Sequence, residues 1–191
     1  MPDRAQFWSP VPEWSQVSLR GSGLNVVPVN GASAWLVSGD ATPILARSGT
    51  REIHGPRQIC SRHAYALRLA PDRLLVVDAT SADARRTDAI SIDPTSTTAV
   101  TGDSFANCAV TEISDALIIF DVVGESAGEL MAQGSEYRFD DTALRPQESA
   151  SMNFGGFRII VARRAHGWRL HVERPWAAAL WRWLEARVIH M

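Results

Sequence analysis

The sequence contains no lysine: all 19 of its basic side chains are arginine. This excludes both Schiff-base catalysis on a lysine amine and the phosphate-gripping lysine of a P-loop. The same usage fits a GC-rich coding bias. Cysteine is scarce, with only Cys60 and Cys108, and neither sits in a metal-ligand spacing. They read as reduced thiols of a protein in a reducing compartment. No charge excess marks a partner either. A formal net charge of -2 gives no reason to expect nucleic acid or a membrane surface. No apolar run approaches the ~20 residues that span a bilayer. The first ten residues, from Met1 to Pro10, lack the apolar core of a signal peptide. The expected location is the cytoplasm.

What is present is enough chain, 191 residues, for one domain or one domain with an arm. The arm is expected over residues 1–20 and the domain over 21–191. The arm holds Pro2, Pro10 and Pro12 among the aromatics Phe7, Trp8 and Trp14. Proline denies it regular structure, while large aromatics favour leaving water. It is therefore expected to be extended and to lie on a surface, of this domain or of another chain.

From Ala64 the pattern sharpens. Tyr65, Leu67 and Leu69 alternate with smaller or polar residues, the period-2 signature of a half-buried strand. Pro71-Asp72 turns the chain, and Leu74–Val77 reads as a return strand buried on both faces. Ser81–Arg86 reads as a short helix, and Ile90–Phe105 as a polar loop. Val110–Val123 reads as two strand segments or one bent strand, interrupted at Ser114-Asp115. Glu125–Gln133 predicts a helix with Ala127, Leu130 and Met131 inward, stopped by Gly134 in the left-handed region. A polar loop, Asp140–Gln147, precedes strands at Phe157–Arg163 and Trp168–Glu173. The chain closes on a Trp-rich amphipathic helix, Arg174–Arg187, with Pro175 in its first turn. Three- and four-residue steps put Trp176, Leu180, Trp183 or Leu184, and Val188 on its inner face. Trp181 falls off that stripe, free either to face a partner or to pack against the arm. Phe7, Trp8, Trp14 and Trp181 are thus the candidate partner-interface residues.

The inventory of chemistry is thin. Cys60 and His63 pair a thiol with an imidazole, but no second ligand pair of similar spacing completes a zinc site. Gly21-Ser22-Gly23 begins a glycine fingerprint with no third glycine and no helical pattern after it. Gly102–Phe105 is similar to the opening block of GDSL-type hydrolases, with Ser104 at the nucleophile position. No Asp-x-x-His block follows, so a turn is the better reading. His166 and His171 are an odd number of residues apart, which on one strand points them to opposite faces. Asp88, Asp93, Asp103 and the Asp140-Asp141 pair are scattered, with no apolar frame to tune a carboxylate for acid–base work. No catalytic, cofactor-binding or metal-binding residue is assigned.

Taken together, Ala66–Val77, Val110–Asp115, Leu117–Gly124 with Leu130 and Met131, Phe154-Gly155-Gly156, Ile159–Arg163, Trp168–Val172 and Arg174–Leu184 resemble the gamma subunit of bacterial heterotetrameric sarcosine oxidase. The last block is the most specific, and the likeness runs from about Ala64 to Arg187. That family is in turn similar to the folate-binding half of glycine-cleavage T-proteins. The resemblance implies an α+β fold, a ferredoxin-like folate-binding-domain layer with an antiparallel or mixed sheet and helices on one face. In T-proteins an aspartate pair follows a Gly-Gly turn and serves aminomethyl transfer. Here Gly155-Gly156 is followed by Phe157 and Arg158, and the carboxylates are missing. The implied role is a non-catalytic subunit of a complex that oxidatively demethylates sarcosine to glycine. Alpha, beta and delta subunits are the implied partners, and they carry FAD, FMN, NAD, tetrahydrofolate and zinc. The alternatives are a subunit of a sister secondary-amine dehydrogenase of the N-methylglutamate type and a stand-alone folate-dependent aminomethyltransferase.

Overall fold

The computed structural model describes residues 12–42, 64–78, 107–136, 144–146 and 148–191. Among the described residues ten strands and two helices follow one another: β1 Leu19–Gly21, β2 Leu24–Pro28, β3 Ser33–Gly39, β4 Ala64–Ala70, β5 Arg73–Asp78, β6 Cys108–Glu112, β7 Leu117–Val123, α1 Ala127–Gly134, β8 Ser149–Phe154, β9 Phe157–Arg164, β10 Gly167–Glu173 and α2 Arg174–Val188. They build a six-stranded sheet in the order β1-β2-β7-β10-β9-β8 and a four-stranded sheet in the order β4-β5-β3-β6. Every described pairing is antiparallel.

Alternation along the strands sorts side chains into layers. Phe120, Val122, Val161, Leu170 and Val172 face the two helices and make one core with Leu130, Met131, Leu180 and Leu184. The residues between them, Ile119 and Ala162 among others, turn to the four-stranded sheet and meet Ala34, Tyr65, Leu67, Leu75 and Val77. The stack is helices, large sheet, small sheet. The return strand Leu74–Val77 is buried on both faces, as its unbroken apolar run predicts.

Two crossovers tie the sheets together. One links β2 to β3. The other lies where the sequence hesitates at Ser114-Asp115: a single 3-10 turn, Ser114–Ala116, separates β6 in the small sheet from β7 in the large one. The crossovers brace each other, since Ile113 N donates to Ala34 O at 2.8 Å and Val29 N to Ile119 O at 2.8 Å. Ser114 Oγ adds an acceptor for Ala34 N at 3.0 Å. Between residues 21 and 63 the sequence reading places no element, yet β2 and β3 lie there. Leu24 and Val26 alternate about Asn25 over too short a run to stand out.

Three expectations need correction. Gly134 does not stop α1 in the left-handed region; it is the helix's last residue. Its reason is space, because a Cβ there would lie 2.2 Å from the Phe154 ring. The arm boundary at residue 20 falls inside β1; of the two surfaces open to the arm, Trp14 takes this domain's own, edge-on against Phe120 and Trp181 with ring centroids 5.4 and 5.8 Å apart. The last helix is turned by about one residue. Its buried stripe is Ala177, Leu180, Trp181, Leu184 and Val188, while Trp176 is 53% exposed. Trp183 is half-buried at the flank, against Phe154 at 5.1 Å. Tryptophan volume drew the expected stripe away from Ala177, whose small side chain is what lets the helix approach the sheet. Phe7, Trp8, the Ser81–Arg86 helix and the Ile90–Phe105 loop lie outside the described residues.

The corrected phase separates two tryptophans by their cost. Trp181→Ala should lower the unfolding free energy by about 3–5 kcal/mol, the range for emptying an aromatic core site. Trp176→Ala should change it by less than about 1 kcal/mol. Urea unfolding of the two variants decides it, and equal losses would contradict the helix orientation.

Candidate functional site

The face of β7 and β10 that meets the small sheet carries a line of polar groups. Asp121 and Arg169 are direct cross-strand partners. Arg169 Nε and one terminal nitrogen each donate to a different Asp121 carboxylate oxygen, both at 2.6 Å, a bidentate fork. Arg169 is buried. Burial alone would lower its pKa, but Asp121 and the Tyr65 oxygen outweigh that and hold it above its usual value.

Two residues further along β10, His171 is fully enclosed. Its Nδ1 lies 3.1 Å from the Ile160 carbonyl, which can only accept, so Nδ1 bears the proton. Its Nε2, 2.7 Å from the Tyr65 hydroxyl, is then the acceptor of the tyrosine proton. Electrostatics agree with that assignment. Burial, assisted by the Arg169 charge, pushes His171 down to about 4. Burial likewise pushes Tyr65 up to about 12. At neutral pH the phenol donates and the neutral imidazole accepts. Arg164 and Arg169 place their guanidinium carbons 5.4 and 5.3 Å from the Tyr65 ring centroid. A general base needs reach to a substrate and a pKa near the working pH. His171 has neither, because both ring nitrogens are committed inside the fold. This polar layer is a pin between the sheets.

Beyond His171 the two sheets splay into an open cleft of about 1230 Å³. Leu69, Arg73 and Leu75 of the β4–β5 hairpin form one wall; Ser151, Arg158 and Ile160 of β8 and β9 form the other. The crossover residues Ile113, Asp115 and Leu117 floor it, and Arg174 and Pro175 close its end. Arg174 Nε donates to the Asp115 carbonyl, and its guanidinium lies 3.7 Å from the Asp115 carboxylate.

The other sequence candidates stay apart. Gly21-Ser22-Gly23 is the tight turn of the β1–β2 hairpin; the start of α1 lies against it, but there Ser126 N donates to the Gly23 carbonyl and Ser126 Oγ to the Ser22 carbonyl, both at 3.0 Å. His166 is exposed in the β9–β10 turn, away from buried His171. Cys108 lies half-buried on β6, and burial pushes its thiol pKa up, which disfavours the nucleophilic thiolate. Cys60, His63, Asp88, Asp93, Asp103, Ser104, Asp140 and Asp141 lie outside the described residues. Among the described residues no three His, Cys, Asp or Glu side chains gather as a metal cluster, and no helix is long and apolar enough to cross a membrane. Gly155 and Gly156, with φ of 59° and 88°, form the two-residue turn joining β8 to β9, and the strand after it opens with Phe157 and exposed Arg158. Of the two readings of Trp181, packing against the arm is the one observed and the partner contact is corrected: it is 5% exposed and seated against Trp14 and Phe120. The sequence reading takes Tyr65 only as an inward strand residue and passes over Asp121 and Arg169. Its available signal was the alternation of Arg169 and His171 with Trp168, Leu170 and Val172, which reads equally well as a strand with one wet face.

No protein-family model matches the chain, and no curated protein matches it in sequence. Solved structures do match. A chain of the heterotetrameric sarcosine oxidase from Corynebacterium sp. U-96, solved in complex with pyrrole 2-carboxylate, superposes with a TM-score of 0.74 at 11% identity, over 91% of this chain and 88% of that one. The glycine cleavage system aminomethyltransferase T from Bartonella henselae superposes with a TM-score of 0.56 at 13% identity, over 86% of this chain and 46% of that one. At these identities the likeness is one of fold, and it is the α+β fold that the sequence resemblance implies.

The His171 environment predicts a pH dependence. Unfolded, the imidazole titrates near 6.5; folded, near 4. Between those values the unfolded chain binds a proton that the native one refuses. Stability is therefore complete above about pH 6.5 and falls as pH drops toward 4, by an amount on the order of 3 kcal/mol. His171→Gln, which cannot charge, should flatten that part of the profile. Urea midpoints at pH 7 and pH 4.5 for both proteins test it; parallel profiles would refute the assignment.

Proposed function

We propose that this chain is a non-catalytic, gamma-type subunit of a heterotetrameric sarcosine oxidase, acting in the cytoplasm with alpha, beta and delta partners. The observation that carries the reading is the extent of the structural match. The superposition covers almost the whole of this chain and almost the whole of a sarcosine oxidase chain, but less than half of the aminomethyltransferase. The resemblance in sequence points the same way, most specifically over Arg174–Leu184.

The chemistry of the described residues supports a scaffold role. At the glycine turn where the T-protein resemblance implies carboxylates, an arginine and a phenylalanine stand instead. The buried Tyr65–His171 pair is held in protonation states that suit cohesion rather than proton transfer. On this reading FAD, FMN, NAD, tetrahydrofolate and zinc belong to the partner subunits, and sarcosine is demethylated to glycine there. Phe7 and Trp8 remain proposed partner contacts. The role of this chain is to present a rigid α+β surface for the larger subunits to assemble on.

Purified alone, the chain should show no sarcosine oxidation, no aminomethyl transfer and no flavin absorbance. Co-expressed with the alpha, beta and delta subunits, it should purify with them as one particle. A flavin or folate bound to the isolated chain with a dissociation constant in the micromolar range or below would overturn the reading. So would failure to co-purify.

A further inference from the structure

The open cleft between the splayed sheets has charges that nothing within the described chain completes. Arg73, at the start of β5, and Arg158, near the start of β9, enter it from opposite sheets. Both are exposed, and neither makes a hydrogen bond, ion pair or ring contact among the described residues. The third arginine there, Arg174, is taken up by Asp115. The remaining acid of the lining, Glu173, is the exposed N-cap residue of α2, at the positive end of the helix dipole, and its side chain makes no capping hydrogen bond. Among the described residues, Arg73 and Arg158 thus line the cleft from two sheets with no counterion bonded to either.

The surface between them is apolar. Leu75, Ile113, Leu117 and Ile160 line it. Leu69, at the same wall, is 38% exposed and is one of three large hydrophobics so exposed among the described residues. An aliphatic floor rimmed by arginine is the composition of an interface centre, where Arg is enriched and serves as an anchor. Size and shape choose the occupant. At about 1230 Å³ and open to solvent, the cleft exceeds the roughly 300–1,000 Å³ of pockets that enclose a small ligand. It suits a length of extended polypeptide.

We propose that this cleft receives an extended segment of a neighbouring subunit in which Asp or Glu is flanked by aliphatic residues. Arg73 and Arg158 grip its carboxylates from the two sheets, and Leu69, Leu117 and Ile160 take its apolar side chains. The proposal rests on the reading of this chain as a subunit of an amine-oxidising complex. A guanidinium fork matches a carboxylate in two parallel hydrogen bonds, which an ammonium cannot reproduce. The occupied cleft would also bridge the two sheets at the one corner where they separate.

The test measures affinity of the full-length chain for the assembled alpha, beta and delta subunits. Arg73→Glu or Arg158→Glu should each weaken binding by about 10-fold or more, and the double variant by about 100-fold. Arg→Lys at both positions should recover only part of that loss. Raising salt should weaken wild type more than the double variant. Amide exchange over residues 69–75 and 151–160 of the wild type should slow on assembly, and this arm needs no variant and decides the matter if the charge reversals fail to fold. If wild type assembles while the double variant binds undiminished and exchange in the cleft is unchanged, the cleft is not the contact and the subunit reading stands. If wild type binds none of these subunits, both are overturned.

Discussion

The structure depends on how strand β10 is covered. It lies inside the six-stranded sheet and its two faces have different chemistry: Trp168, Leu170 and Val172 on one, Arg169 and His171 on the other. The first face needs only apolar cover, which α1 and α2 supply. The second is admissible inside a protein only if each polar group finds a partner, because an unpaired buried donor or charge costs several kcal/mol. The small sheet brings Tyr65 to His171, and β7 brings Asp121 to Arg169. The register of one sheet on the other is thereby constrained by hydrogen-bond geometry as well as by packing. A slip of one residue would turn Tyr65 away and leave His171 Nε2 without its donor.

The parts of the fold that local pattern controls were legible in the sequence. The β4–β5 hairpin, the β9–β10 hairpin and both helices follow from period, turn residues and breakers, and they stand within a few residues of expectation. The two-sheet arrangement was not legible. Tyr65 and His171 are 106 residues apart, and nothing near either announces the other. The phase of α2 was misread because a tryptophan dominates any estimate of hydrophobic weight, whereas the buried face includes the small Ala177 and leaves Trp176 exposed. The first strands were missed for a related reason: β1 and β2 have 3 and 5 residues and acquire their order only by pairing with β7.

The same contrast applies to function. The cleft is made by residues from both crossed sheets and from the start of α2, so no local window of sequence contains it. Chemistry-bearing motifs were sought along the chain, but the charged groups that matter here gain meaning from being left over. Arg158, just after the Gly155-Gly156 turn, and Arg73, just after the β4–β5 turn, come to the same cleft only because the two sheets stack.

The paired crossovers also govern when this chain can fold. β2 has no neighbour but β1 until β7 is made, and β7 in turn borders β10, the last strand before the terminal helix. During synthesis at about 5–20 residues per second, the early strands therefore spend on the order of ten seconds with open edges. Such non-local pairing is slow to form and exposes sticky backbone while it waits. During that interval the unpaired edges of the early strands are open to pairing with other chains, so strand order along the sequence sets how long the exposure lasts.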